Sequence, residues 1–249
     1  MILFIYIKGM KIFIKEQFEK FGIRLNFVKN LWYLDSFYLL KKLNANQSPI
    51  IFDVGGCDGV AVIDFKKMFP QSFIFSFEPY PASFNNLVKS SQQYSGVKYY
   101  ELALSNMDGM MIFFGNRKKA TNSLLRPKIT NSFIDEHAIF EGESQVECKM
   151  LDTFLADNNL LEIDILKIDV QGEELMVLEG AKKVLQEKKV KLIYLEVWFT
   201  EAYYGQPLYH DIANYLAGYG YFSYGIYNMH YKKDGHFLWG DAIFYLKIV

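Results

Sequence analysis

Two apolar rhythms alternate along most of this 249-residue chain. Short unbroken apolar runs end at glycine or at a charge, as strands buried on both faces do. Between them lie longer stretches with apolar positions three or four apart, the spacing of helices that pack by one face. Pro49–Val54, Phe73–Phe77, Val97–Leu102, Ile163–Val170 and Lys191–Val197 read as strands. Val60–Met68, Pro81–Gln93, Glu173–Leu185 and Leu208–Ala217 read as helices, the second with proline in its first turn. Met110–Phe114 and Val146–Met150 read as strands around a polar insertion, with Asp152 capping a short helix after them. Tyr221–Ile226 and Ala242–Lys247 close the chain as a strand pair. Strand and helix in this alternation predict an α/β fold with a doubly wound, mostly parallel sheet.

The first 44 residues break the rhythm. Met1–Ile7 is apolar but too short to span a bilayer, and it lacks a signal peptide's basic region and cleavage site. From Lys8 to Lys29, six basic residues against two acids interleave with Ile12, Ile14, Phe18, Phe21 and Leu25 at near-helical spacing. The division expected is a helical N-terminal extension over 1–44 and one domain over 45–249. The extension reads as a lid or oligomer helix, with a peripheral membrane-surface helix as the alternative.

Composition narrows the function classes. With 27 basic and 28 acidic residues the formal net charge is −1, which disfavours a nucleic-acid partner held by phosphate neutralisation. A hydrophobic content of 51% excludes general disorder. Two cysteines, Cys57 and Cys148, make no disulfide scaffold and suit a reducing, cytoplasmic setting.

The chemistry begins at Asp53-Val-Gly55-Gly56-Cys57-Asp58-Gly59, where a buried strand meets a helix. Glycines there let the chain turn tightly and let a ligand approach the backbone. The spacing is not the dinucleotide fingerprint G-x-G-x-x-G. Asp53, at the strand's carboxyl end, is expected to face the crevice, repel a pyrophosphate and suit a ligand carrying an ammonium and a sulfonium; the alternative is a turn cap. Glu78, before Pro79, ends the second strand 19 residues after Gly59. An acid there is placed to accept both ribose hydroxyls of an adenosine. Together the two motifs point to a nucleoside-bearing cofactor. Lys167 and Asp169 share one face of a strand that is otherwise apolar, so they are either paired or functional.

Ile51–Gly59, Phe77-Glu-Pro79, Ala103-Leu-Ser105, Leu166-Lys-Ile-Asp-Val-Gln-Gly-Glu-Glu174, Leu178-Glu-Gly-Ala181, Leu195-Glu-Val197, Tyr204-Gly-Gln-Pro-Leu208 and Gly240-Asp-Ala-Ile-Phe244 occur in that order. Over residues 45–249 they resemble the FkbM family of S-adenosylmethionine-dependent methyltransferases. The resemblance implies a Rossmann-like class I methyltransferase fold, with a seven-stranded mostly parallel sheet whose last strand is antiparallel. It also implies O-methylation of a small-molecule or glycan hydroxyl, often on a sugar, as in polysaccharide biosynthesis. Carried across, Asp53, Gly55, Gly56, Cys57, Asp58 and Gly59 form the cofactor's turn, Glu78 with Pro79 holds the ribose, and Ala103 and Leu104 sit near the adenine. Cys57 departs from a third glycine, and Gln171 from a glutamate.

In that chemistry Asp169 is the first candidate for the base that takes the hydroxyl proton, with a helix cap as its bland alternative. Glu196 and Lys167 are candidates for orienting the acceptor. His137, His210, His230 and His236 have no metal-like spacing, and scattered acids do not make a magnesium site, so no metal is expected. The aromatics Trp198, Phe199, Tyr203, Tyr204 and Tyr219–Tyr231 suit a sugar platform but more commonly fill a core. Basic Arg117, Lys119, Arg126 and Lys128 read as a solvated loop, or as a contact for a phosphate. A homo-oligomer stays open. The rival readings are a nucleotide-dependent oxidoreductase and a catalytically silent cofactor-binding module.

Overall fold

The computed structural model describes residues 35–128 and 140–246; the expected extension helix and His137 lie outside them. The described elements are α1 (Ser36–Leu43), β1 (Ile50–Val54), α2 (Val60–Met68), β2 (Phe73–Phe77), α3 (Pro81–Ser91), β3 (Val97–Tyr100), β4 (Ala103–Leu104), β5 (Gly109–Asn116), β6 (Phe140–Lys149), α4 (Leu151–Asp157), β7 (Ile163–Ile168), α5 (Glu174–Glu179), α6 (Lys182–Gln186), β8 (Val190–Trp198), α7 (Tyr209–Gly218), β9 (Tyr221–Tyr231) and β10 (Phe237–Leu246).

Seven strands form the main sheet in the order β3-β2-β1-β7-β8-β10-β9. The first five run parallel, and β10 lies antiparallel to both β8 and β9. This is the doubly wound, Rossmann-like sheet expected, with its antiparallel closing strand. The order reverses between β1 and β7, and the carboxyl ends of strands at such a switch point open a crevice.

Apolar side chains alternate across the sheet to build two cores. Ile51, Ile74 and Ile165 meet Leu39 and Leu40 of α1, Val62 and Phe65 of α2 and Leu87 of α3. Phe52, Val54 and Leu166 meet Phe154 of α4, Val177 and Leu178 of α5 and Leu216 of α7. Helix α1, assigned above to the extension, is therefore packed on the sheet.

Four sequence expectations shift. The run Val97–Leu102 does not continue as one strand: the chain leaves the main sheet after Tyr100, and Ala103–Leu104 pairs with β6 in a second sheet of order β4-β6-β5. Glu173–Leu185 is two short helices, because the chain turns at Gly180–Ala181. Asp152 does not cap its own helix; its carboxylate accepts the Lys183 and Val184 N–H groups at 2.8 and 2.9 Å and starts α6. The closing strands are also longer than the apolar pattern implies, since their alternating polar positions face solvent.

Gly180 shows how closely these parts meet. A β-carbon there would lie 1.9 Å from the Ser105 carbonyl oxygen, so the end of α5 packs directly on the chain leaving β4. Gly180→Ala is therefore expected to destabilise by about 2 kcal/mol or more, as overpacking against backbone does. Gly218→Ala, in the last turn of α7 with open space around it, should instead be neutral or stabilising by up to about 1 kcal/mol. Urea unfolding of the two variants checks this; equal effects would contradict it.

Candidate functional site

The crevice is built on a tight turn after β1. The Gly55 and Gly56 N–H groups both donate to the Phe77 carbonyl, at 3.0 and 2.9 Å. Gly55 has φ +82°, and a β-carbon on it would lie 1.9 Å from the Asp169 carbonyl oxygen. Cys57 is left-handed too, with φ +45°. That conformation costs a residue with a β-carbon about 1–2 kcal/mol, which is the physical reason a glycine suits this position. Burial beside Glu78 and Asp58 pushes the Cys57 thiol up to about 11, so it is not a nucleophile at neutral pH.

Below the turn lies a buried ion pair. Lys167 Nζ, on β7, meets Asp53 Oδ1 at 2.9 Å, and both side chains are almost fully buried. The ammonium also donates to the Gly55 carbonyl at 2.8 Å. Asp53 Oδ2 accepts the Ser76 hydroxyl at 2.7 Å. Burial pulls the Lys167 pKa down, but Asp53 and Asp169 outweigh it and hold the ammonium above the ordinary lysine range. Asp53 therefore does not face the crevice as expected: its side chain is fully buried and committed to Lys167 and Ser76.

Glu78 reaches the crevice. Its Oε2 accepts the Cys57 N–H and its Oε1 the Tyr80 N–H, both at 2.9 Å. Each oxygen keeps a second lone pair. Burial raises the Glu78 pKa, and the two backbone donors work against that rise. Glu78 and Pro79 line a cleft of about 660 Å³, open mouth included, with Ala103, Leu104 and Phe113 as apolar wall.

Asp169 borders this cleft and a second one of about 700 Å³, lined also by Phe37, Tyr194, Glu196 and Asp241. Its side chain is 43% exposed and lies 3.9 Å from Lys167 Nζ. Gln171, left-handed at φ +58°, bridges the acids: its Nε2 donates to Asp169 Oδ1 at 3.1 Å and Glu196 Oε2 at 3.0 Å. Trp198 Nε1 donates to the same Glu196 oxygen at 2.9 Å. Burial, then the charges of Asp169, Glu174 and Asp241, push the Glu196 pKa well above the carboxylate range. Glu196 thus holds its proton more tightly than an ordinary carboxyl does, beside the more exposed Asp169.

The expected residues divide into three groups. Gly55, Cys57, Glu78, Pro79, Ala103, Leu104 and Asp169 line the first cleft. Gly56, Asp58, Lys167 and Glu196 line the second, which Gly55, Cys57 and Asp169 border as well. Gly59, left-handed at φ +85°, only starts α2. Arg117, Lys119 and Arg126 are exposed, as the solvated-loop reading expects, but Asn122, Ser123 and Leu124 between them are buried. Lys119 pairs with Glu141, Lys128 with Glu201, and Ser123 Oγ donates to the Gln171 carbonyl, so this segment roofs the first cleft. Trp198 and Tyr203 are core, and His210 sits exposed on α7. Missed from the sequence were Gln171 as a bridge, Asp241 with its Tyr194 hydrogen bond at 2.8 Å, and the buried Glu173 and Glu174. The cue for the last two was present: consecutive acids after a Gln-Gly turn cannot both face solvent where the next helix packs.

Comparison with known proteins agrees with this geometry. The family model described as "Methyltransferase FkbM domain" matches residues 53–223. A protein named 2-O-methyltransferase NoeI from Sinorhizobium fredii is 30% identical over 167 residues, covering 64% of this chain and 67% of that protein. Methyltransferase sdnD from Sordaria araneosa is 29% identical over 199 residues, covering 71% and 76%. A crystal structure of an FkbM methyltransferase from Methylobacillus flagellatus has a TM-score of 0.52 at 14% identity, covering 80% of this chain. This chain spans 44% of that one.

Two stability experiments follow. Lys167→Met leaves Asp53 charged, buried and unpaired, and should cost about 3–5 kcal/mol in urea unfolding. Adding Asp53→Asn should recover most of the loss; a double variant no better than the single one would contradict the pairing. Burial raises Glu174 from 4.5 to about 7. A carboxyl raised in the folded state stabilises below its unfolded pKa, and that contribution is lost as pH rises through the folded value. Stability should therefore fall between pH 4.5 and about 7, with Glu174 contributing on the order of 3 kcal/mol. Glu174→Gln should flatten the fall in a series of thermal unfolding curves.

Proposed function

We propose that this chain, which belongs to the FkbM methyltransferase family, transfers a methyl group from S-adenosylmethionine to a hydroxyl, with a sugar as the acceptor class. The observation that carries the reading is Asp169, a half-exposed carboxylate at the junction of two clefts, one of them carrying a built nucleoside cradle. The cradle fits the cofactor on three counts. Glu78 has lone pairs left for two hydroxyls, Gly55 lets the backbone approach closely, and Ala103 and Leu104 give a flat apolar wall. Asp53 does not fit as a direct contact, so the anion for a cationic ligand is Asp169.

When bound, the cofactor supplies a methyl group already activated as an electrophile. The chain's task is to align an oxygen nucleophile and manage one proton. Positioning alone supplies several kcal/mol, and a carboxylate taking the proton adds on the order of 10²–10⁴ in rate. Asp169 is oriented by Gln171 and lies 3.9 Å from the Lys167 ammonium. Glu196, its pKa pushed up by burial and by neighbouring acids, and Asp241 stand on the acceptor side. A sugar fits a cleft whose walls pair carboxyls with the rings of Phe37 and Tyr194. The name 2-O-methyltransferase of the relative in Sinorhizobium fredii supports oxygen as the methylated atom.

Two substitutions separate binding from chemistry. Glu78→Ala should weaken S-adenosylhomocysteine binding, measured by calorimetry, by about 1.5–3 kcal/mol. Asp169→Asn should lower turnover of labelled S-adenosylmethionine by about 10²-fold or more, with little change in cofactor affinity. An Asn variant at full rate would remove Asp169 as the base.

A further inference from the structure

Asp241 lines the second cleft from β10, and its carboxylate is anchored at one end only. Oδ2 accepts the Tyr194 hydroxyl at 2.8 Å and the Asn228 amide at 2.7 Å. Those donors are fixed in turn. The Tyr194 proton is spent on Asp241, so the Ser36 hydroxyl of α1, 3.2 Å away, donates to the Tyr194 oxygen. Asn228 Nδ2 also reaches Ser36 Oγ, at 3.2 Å. Among the described residues nothing donates to Asp241 Oδ1, and that oxygen stays accessible. Tying α1 and β9 to the sheet therefore uses half of the carboxylate.

The open half stands on the same wall as the base. Asp241 lies directly opposite Glu196 in the β8–β10 pairing, so the two side chains leave the sheet on one face. Gln171 Nε2 then joins Glu196 Oε2 to Asp169 Oδ1, at 3.0 and 3.1 Å. Asp169 and Asp241 thus end a row with Glu196 between them, each oriented through one of its oxygens. The rings of Phe37 and Tyr194 line the same cleft. An anchored carboxylate oxygen with lone pairs to spare calls for a ligand that donates to it. Two such acceptors beside aromatic rings fit a ring that carries hydroxyls at two positions. Burial raises the Asp241 pKa, and the Asn228 and Tyr194 donors oppose that rise, since each favours the charged, accepting form.

We propose that Asp241 binds the acceptor, its Oδ1 accepting a second hydroxyl of the ring whose reacting hydroxyl faces Asp169. This rests on the sugar reading above and narrows it. The acceptor is a ring with at least two unmodified hydroxyls, and a ring with a single hydroxyl is a poor substrate. Asp241 takes no proton in the transfer. It holds the ring and so sets which hydroxyl is aligned with the methyl group. Asp241→Asn keeps an oxygen for Tyr194 and Asn228, so the anchor and the fold survive, but it removes the charge and one acceptor from the cleft.

The test uses labelled S-adenosylmethionine with a panel of methyl glycosides of the common hexoses and 6-deoxyhexoses. It continues with the monodeoxy derivatives of whichever glycoside the parent chain labels best. Asp241→Asn should raise the KM for that glycoside by about tenfold or more, with kcat and the affinity for S-adenosylhomocysteine little changed. One monodeoxy derivative should show the same rise with the parent chain and no further rise with Asp241→Asn, because both changes remove one contact. A merely structural role for Asp241 would move all derivatives alike. An Asn variant with unchanged KM, or one in which every derivative loses as much as it does with the parent, overturns this inference and leaves methyl transfer to a sugar standing. A parent chain that labels no glycoside of the panel overturns the sugar acceptor, and this inference with it.

Discussion

The site depends on one buried charge. Lys167 sits on a strand whose neighbours are apolar, and an ammonium there is unstable unless the fold supplies anions and acceptors. The fold supplies Asp53 from β1 and the carbonyl of Gly55 from the turn. One side chain thus ties two adjacent strands to the backbone segment that a ligand must approach. With Lys167 beneath it and the Phe77 carbonyl accepting two of its N–H groups, the turn is set before any ligand arrives. The close approach of Gly55 to the Asp169 carbonyl then fixes where the β7 loop leaves the sheet.

The same loop sorts carboxyls by environment. Glu173 and Glu174 are buried and Glu196 is half-buried, and burial pushes the pKa of all three upward. Asp169 is half exposed and within reach of the lysine. Four acids within one loop and an adjoining strand therefore do not share one role. Two of them hold backbone N–H groups: Glu174 Oε1 accepts those of Val170 and Gly172, and Glu173 Oε2 that of Leu124 in the roof, while Glu196 accepts the side chains of Gln171 and Trp198. Asp169 alone combines exposure, a donor that orients it and a cleft on either side. Such a division lets a site carry one base without a competing proton acceptor.

Much of this was legible in the chain. Unbroken apolar runs marked the parallel strands because both faces are covered, and the glycine turn, Glu78 and Asp169 stood at the ends of such runs. Asp53 was misplaced for a physical reason: the sequence shows that a carboxylate ends a strand but not that a lysine on the neighbouring strand, 114 residues away, turns to meet it. The strand break after Tyr100 was hidden because Val97–Leu102 is apolar enough to continue, while its partner strand β6 lies almost fifty residues on. The roof over the first cleft was hidden for the same reason. Its polar composition looks solvated until Ser123 and Asn122 are seen to be spent on Gln171 and Asn116. Local patterning specified the elements; the long-range polar pairings decided which charged residues were structural.

The central claim is that one crevice, bounded by Glu78 on β2 and Asp169 after β7, holds the cofactor and presents its methyl group to the second cleft. A crystal structure of the chain with S-adenosylhomocysteine tests it most directly. The account requires the ribose hydroxyls on the Glu78 carboxylate, the base against Ala103 and Leu104, and the sulfur on the side of Asp169. A nucleoside bound elsewhere, or one whose sulfur faces away from Asp169 and the second cleft, would contradict it.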